Sequence, residues 1–347
     1  MLLTTGAEVL VRGASRLAIT LGITPLIVGL TIVAFGTSSP ELAVSVMAAW
    51  SGSGAMDIAL GNVIGSNIFN VFFILGLSAL VAPLVVSIQL VRLDVPVMIT
   101  VSVLAIIMSL DGSISRMDGM ILFTGVIIYT ILMIRLGRKQ SAHDQAEYFE
   151  PPQQLSNKIR QFILDVGLVV AGLLFLVSGS DILVKSAINI ASSLGISEFV
   201  ISVTIVAIGT SLPEVATSVV ASIRGERDIA VGNIVGSNIF NILAVLGLSA
   251  LVSPAGITVT APVLQFDMLV MLAAALICLP VFFTGFRITR PEGAVLLMFY
   301  VLYTGYIILV ENSWDYLSIF GTVIIYLVIP LTIMAFIIMV YRQINNR

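Results

Sequence analysis

Gly36-Thr37-Ser38-Ser39-Pro40-Glu41 recurs as Gly209-Thr210-Ser211-Leu212-Pro213-Glu214, and each copy sits inside a run of apolar residues. A second segment follows each copy: Gly61-Asn62-Val63-Ile64-Gly65-Ser66-Asn67-Ile68-Phe69-Asn70 returns as Gly232-Asn233-Ile234-Val235-Gly236-Ser237-Asn238-Ile239-Phe240-Asn241. Two paired motifs in the same order mark an internal duplication. A carboxylate, a helix breaker and hydroxyls at membrane depth, present twice, point to an ion site.

Working outward, hydrophobic residues make up 59% of the 347 residues and charged residues 10%, with a mean hydropathy of +1.13. Such a chain belongs in lipid. The net charge of -3 says little; the placement of Lys and Arg between spans carries the information. The single cysteine, Cys278, excludes an internal disulfide and argues against a thiolate metal site. The single histidine, His143, lies in the longest polar segment, away from any membrane relay. No cleavable signal pattern is expected at the start, and neither an enzymatic activity, a cofactor nor a nucleic-acid partner is expected.

Apolar runs of about 17 to 25 residues read as membrane helices. They fall near 1–21, 25–50, 57–82, 95–110, 118–136, 162–192, 198–223, 228–252, 265–285, 291–310 and 316–341. The expected fold is therefore an all-α polytopic membrane protein with two repeats of five transmembrane helices plus an extra C-terminal helix. Its parts are a first repeat over 1–136, a linker over 137–161, a second repeat over 162–310 and an additional helix with a tail over 311–347. Arg135, Arg138, Lys139, Lys158 and Arg160 lie in or beside the linker, which the positive-inside rule makes cytoplasmic. Arg92, Arg224, Arg227, Arg287, Arg290 and the tail fall on the same side. An odd number of spans per repeat turns the second half over, so the repeats are of inverted topology. The first helix is expected to be short by roughly ten residues against its counterpart, which implies a start further upstream or a half-buried, mobile first span.

Glu41 and Glu214 are the leading site residues, because an ionised side chain at a helix centre costs on the order of 3 kcal/mol and needs a reason to be there. Pro40 and Pro213 each remove a backbone donor, and Gly36 and Gly209 permit unusual dihedrals, so each helix is expected to break one turn before its Glu. That makes the carbonyls of Ala34, Thr37, Ala207 and Thr210 candidate ligands. Together with the hydroxyls of Ser38 and Ser211, the two carboxylates approach the six to eight oxygens that Ca2+ favours, and the same oxygens suit Na+. Asn70 and Asn241, with Ser66 and Ser237 four residues earlier, form a second constellation of neutral oxygens, or hydrogen-bond between helices. Gly61, Gly65, Gly232 and Gly236 read as close-packing positions. Glu8 with Arg12, and Asp181 with Lys185, are spaced to pair within their own helices.

These motifs resemble the two alpha-repeats of the sodium/calcium exchanger family, within the calcium/cation antiporter superfamily. The likeness covers nearly all of residues 6–310 and looks like a compact prokaryotic-type member, without the calcium-sensing insert of animal exchangers. It implies alternating access, with the helices near 1–21 and 162–192 sliding across a rigid core. It also implies that Glu41 and Glu214 bind Ca2+ and Na+, helped by the Thr37 and Thr210 carbonyls, and that Ser38, Ser211, Ser66 and Ser237 complete the sodium sites. Some members carry Asp where this chain has Asn70 or Asn241, which weighs against a potassium-dependent mode. The helix at 316–341 lies outside the family core.

The expected function is Na+/Ca2+ antiport in the cell (inner) membrane, with Ca2+, Na+ and the lipid bilayer as partners. The alternatives are a Ca2+/H+ antiporter with the same glutamates protonated, a cation channel, and a membrane scaffold without transport.

Overall fold

Glycine, proline and charge cut the apolar runs into helices. The computed structural model describes residues 1–51, 56–147, 155–193 and 207–311. Helix α1 (Leu2–Leu21) ends on Gly22 in the left-handed conformation, φ 63°, where a side chain would be strained. Thr24 then caps α2 (Pro25–Thr37), accepting the Ile27 N–H at 3.4 Å, with Pro25 in the first turn. A bend of 47° separates α2 from α3 (Ser39–Ser51). The first half continues through α4 (Ile58–Val81), α5 (Leu90–Met108) and α6 (Arg116–Glu147).

The second half repeats this order. It comprises α7 (Leu155–Ser193), α8 (Ala207–Gly209), α9 (Leu212–Arg224), α10 (Arg227–Val252), α11 (Val263–Phe283) and α12 (Arg290–Glu311). Among the described residues seven helices are long and apolar enough to cross a bilayer, and the bent α2–α3 pair makes an eighth. Helix α1 falls short because it carries Glu8, Arg12 and Arg16. Only part of the expected span 198–223 is described, and the expected eleventh span, 316–341, lies outside the described residues.

Two short ribbons expose the symmetry. Strand β1 (Leu84–Val85), after α4, pairs antiparallel with β4 (Arg287–Ile288), before α12. Strand β2 (Ser113–Ile114), before α6, pairs with β3 (Ile257–Thr258), after α10. Exchanging the halves converts one ribbon into the other, as an inverted repeat requires. Arginines repeat the pattern: Arg116 Nε donates to the Ser253 carbonyl at 2.8 Å, and Arg290 Nε to the Leu80 carbonyl at 3.1 Å. The sequence predicts no strand, since two residues are too few to show a period of two.

Helices α1 and α7 lie against each other along most of α1. The buried stripe of α1, Gly6, Ala7, Leu10, Val11, Ala14, Leu17 and Ala18, has helical spacing. A Cβ at Gly172 would sit 2.5 Å from the Leu10 nitrogen, so glycine there sets how closely the backbones approach. Thr20 closes the far end, donating to Asp165 Oδ2 at 2.7 Å. Helix α1 has 20 residues against 39 in α7.

The expected ion pairs divide. Lys185 pairs with Asp181 at 2.8 Å on α7. Glu8 pairs with Arg224 at the end of α9, not with Arg12. The four-residue rule describes an isolated helix surface, whereas α1 docks on α9 and brings a second arginine to Glu8. Gly232 and Gly236 pack as expected, a Cβ on them meeting the carbonyls of Leu26 and Leu30 at 2.8 and 2.6 Å. Apart from neighbouring residues and backbone of its own helix, no described atom lies within 4 Å of a Cβ at Gly61 or Gly65.

Candidate ion-binding site

The helix break comes at Ser38, whose φ and ψ are -82° and 7°. Ser211 in the second half has -88° and 6°. Each serine therefore stands at the start of a new helix whose first turn carries the glutamate, Glu41 in α3 and Glu214 in α9. Proline supplies the reason: Pro213 has no N–H to offer the Gly209 carbonyl, which accepts Ser180 Oγ from α7 at 2.6 Å instead.

The two breaks face each other and exchange hydrogen bonds. Ser38 Oγ donates to Glu214 Oε1 at 3.0 Å, and Ser211 Oγ lies 3.0 Å from Glu41 Oε1 and 3.2 Å from Ser66 Oγ. Each glutamate is thus held by the hydroxyl of the other repeat. Both carboxylates are buried, at 1% and 0% exposure.

Asparagines from α4 and α10 brace this centre. Thr37 Oγ1 donates to Asn233 Oδ1 at 3.0 Å, and Asn233 Nδ2 donates to Ser218 Oγ at 3.1 Å. Thr210 Oγ1 approaches Asn62 Oδ1 at 3.4 Å, and Asn62 Nδ2 reaches Ser45 Oγ at 2.9 Å and the Glu41 carbonyl at 3.3 Å. The threonine hydroxyls are turned into this frame by their amide partners.

Asn70 and Asn241 lie where the helix widens into π turns, Phe69–Leu75 and Asn241–Leu246, a distortion frequent at functional sites. Asn70 Nδ2 donates to Asn238 Oδ1 at 3.0 Å, and Asn241 Nδ2 to Asn67 Oδ1 at 3.2 Å. Asn238 and Asn67 pass on their own amides to the sulfurs of Met98 and Met271, at 3.4 and 3.6 Å. With its N–H side engaged, each of Asn70 and Asn241 leaves its oxygen unpaired.

Oxygens without hydrogen-bond partners among the described residues include Glu41 Oε2, Glu214 Oε2, Asn70 Oδ1, Asn241 Oδ1 and Ser237 Oγ. Leaving one such group buried and unpaired costs about 1–3 kcal/mol. Several of them beside two carboxylates are suited to a hard cation, which takes oxygen ligands. Among the described residues there is no cluster of three or more His, Cys, Asp or Glu, so the donor set consists of two carboxylates and neutral oxygens.

Of the expected ligands, Thr37, Ser38, Glu41, Ser66, Asn70, Ser211, Glu214, Ser237 and Asn241 are all buried, and Thr210 is half-buried. The Ala34 carbonyl accepts the Ser38 N–H at 3.0 Å and lies 3.4 Å from Thr37 Oγ1. Ala207 opens α8. Asn62, Asn67, Asn233 and Asn238 are site residues that the sequence reading does not single out. Their signal is present, since each is duplicated in the second motif.

A family model described as sodium/calcium exchanger protein matches residues 1–135 and 164–309. The chain is 40% identical to the putative antiporter CaxA of Alkalimonas amylolytica over 306 residues, which covers 87% of this chain and 94% of that protein. It is 39% identical to the inner membrane protein YrbG of Escherichia coli K12, covering 80% and 86%. It is 34% identical to the sodium/calcium exchanger MaX1 of Methanosarcina acetivorans, covering 87% and 94%. Among solved structures, the sodium-calcium exchanger NCX_Mj soaked with 10 mM Na+ and zero Ca2+ superposes with a TM-score of 0.75 at 29% identity, over 87% of this chain and 93% of that one. By its duplicated motifs, its inverted fold and these matches, the chain belongs to the sodium/calcium exchanger family.

Proposed function

We propose that this protein is a secondary antiporter that exchanges Na+ for Ca2+, with both ions using one site built around Glu41 and Glu214. The observation that carries this reading is the crossed pairing of Ser38 with Glu214 and Ser211 with Glu41. It ties the two repeats into one buried centre whose two carboxylates balance one divalent cation. Thr37, Thr210, Ala34 and Ala207 would add backbone carbonyls, and Ser66, Ser237, Asn70 and Asn241 side-chain oxygens. Na+ and Ca2+ then compete for the same oxygens, which makes loading by one ion exclusive of the other. The name of the Methanosarcina relative and the Na+ and Ca2+ soaks of NCX_Mj support this choice of ions.

In the arrangement proposed, residues 1–136 and 162–310 form the two repeats, and the basic linker 137–161 and the C-terminus face the cytoplasm of a cell whose inner membrane holds the protein. The test is Ca2+ uptake into proteoliposomes loaded with Na+ and diluted into Na+-free medium, beside vesicles carrying only a pH gradient. Uptake driven by outward Na+ is the expected result. Uptake driven by the pH gradient alone would replace Na+ by H+ at the same glutamates.

A further inference from the structure

The hydrogen-bonding around the two glutamates is nearly twofold, and one departure from it lies on α9. Three residues after Glu214, on the same face of α9, Thr217 is fully buried, and its Oγ1 has no hydrogen-bond partner among the described residues. Buried hydroxyls on helices ordinarily bond the carbonyl one turn back. Ser102, Ser109 and Ser222 do so here, at 2.7 to 2.8 Å. Thr217 does not, as Ser78, Ser237 and Ser249 do not, and its neighbour Ser218 is occupied by Asn233. The position three residues after Glu41 is Val44, which is 41% exposed and has no polar atom in its side chain.

The surroundings of α9 carry further unpaired oxygens. Helix α9 packs against the stretch Phe69–Val81 of α4, which carries Asn70 Oδ1 and Ser78 Oγ, two more oxygens without partners among the described residues. Glu214 Oε2 completes the set. One half of the centre therefore holds a neutral oxygen on the glutamate helix that the other half lacks.

We propose that Thr217 is a further cation-coordinating residue, supplying a neutral oxygen to Na+ beside Glu214 with no equivalent beside Glu41. The proposal rests on the exchange reading above. A single hydroxyl adds little to a divalent ion already balanced by two carboxylates, but it is a large share of the ligand field of a monovalent one. Thr217 thus sets the balance between Na+ and Ca2+.

The experiment is Na+-driven Ca2+ uptake in proteoliposomes, with half-saturating Na+ and Ca2+ concentrations measured separately for wild type, Thr217→Val, Thr217→Ala and Thr217→Ser. The expected result is a rise of about tenfold in half-saturating Na+ for the Val and Ala variants. Half-saturating Ca2+ should stay within about twofold, and the Ser variant should behave as wild type. Melting temperatures of the purified variants accompany the assay; if Val lowers the melt, the Ala and Ser pair carries the comparison. Unchanged Na+ dependence in Ala, an equal loss of both ions, or failure of Ser to restore Na+ dependence would overturn the proposal. Wild type without any Na+-driven uptake would overturn the exchange reading itself and this assignment with it, and is told apart from the other outcomes by the wild-type trace alone.

Discussion

The hydroxyl of Ser38 donates to Oε1 of Glu214 at 3.0 Å across a separation of 176 residues. Ser211 is paired with Glu41 at the same distance. Neither helix break is complete alone, because each supplies the hydroxyl that orients the other's carboxylate. A change on one repeat is therefore read at the other.

Glu41→Gln and Glu214→Gln keep the shape and the serine contact but remove one of two charges facing a divalent ion. Each is expected to reduce Ca2+ uptake by about 100-fold or more, since an unbalanced buried charge costs about 3–5 kcal/mol. Radioactive Ca2+ flux in proteoliposomes checks this. Wild-type flux in either variant would remove the glutamates from the site.

Ser38→Ala should act through Glu214, and Ser211→Ala through Glu41. A hydrogen bond to a charged group contributes about 1.5–3 kcal/mol, so Ca2+ affinity should fall about tenfold to 100-fold in each. Coupling is diagnostic: in a double-mutant cycle, Ser38→Ala added to Glu214→Gln should cost much less than when added alone.

Asp94 is fully buried on α5, where Tyr129 donates to Oδ1 at 3.1 Å and Gln89 to Oδ2 at 3.3 Å. Tyr303 gives the matching bond to the half-buried Asp267 at 3.0 Å. Tyr129→Phe should lower stability by about 1–3 kcal/mol, and Tyr303→Phe by less. The melting temperature of the purified protein measures both.

Gly172→Val should force α1 and α7 apart, because even the first side-chain carbon would stand 2.5 Å from the Leu10 nitrogen. Overpacking of this kind costs about 1–3 kcal/mol. The melting temperature of the purified variant, made in a Cys278→Ala background, should fall accordingly.

Ser141→Cys, in the same background, should be labelled by a membrane-impermeant maleimide only from the cytoplasmic side. Labelling from outside would reverse the proposed orientation.

Much of this architecture is legible before any coordinates. The motif order shows the duplication, and an odd span count turns the second copy over. Gly36, Pro40, Gly209 and Pro213 place the helix breaks, because a missing N–H is a local fact. The pairing of Asp181 with Lys185 is equally local. Glu8 defeats the same local rule, since its partner Arg224 is brought to it only by the docking of α1 on α9. The short ribbons and π turns also escape, lacking a period long enough to read.

What the sequence determined by itself is therefore the inventory: buried acids, breakers, hydroxyls and amides, each in two copies at membrane depth. Only the tertiary structure decided who meets whom. The crossing of Ser38 to Glu214 and of Ser211 to Glu41, and the turning of Asn70 and Asn241 so that oxygen is the unpaired atom, depend on contacts between repeats. Periodicity describes one helix at a time, and a site shared by two inverted halves exists only once those halves have packed.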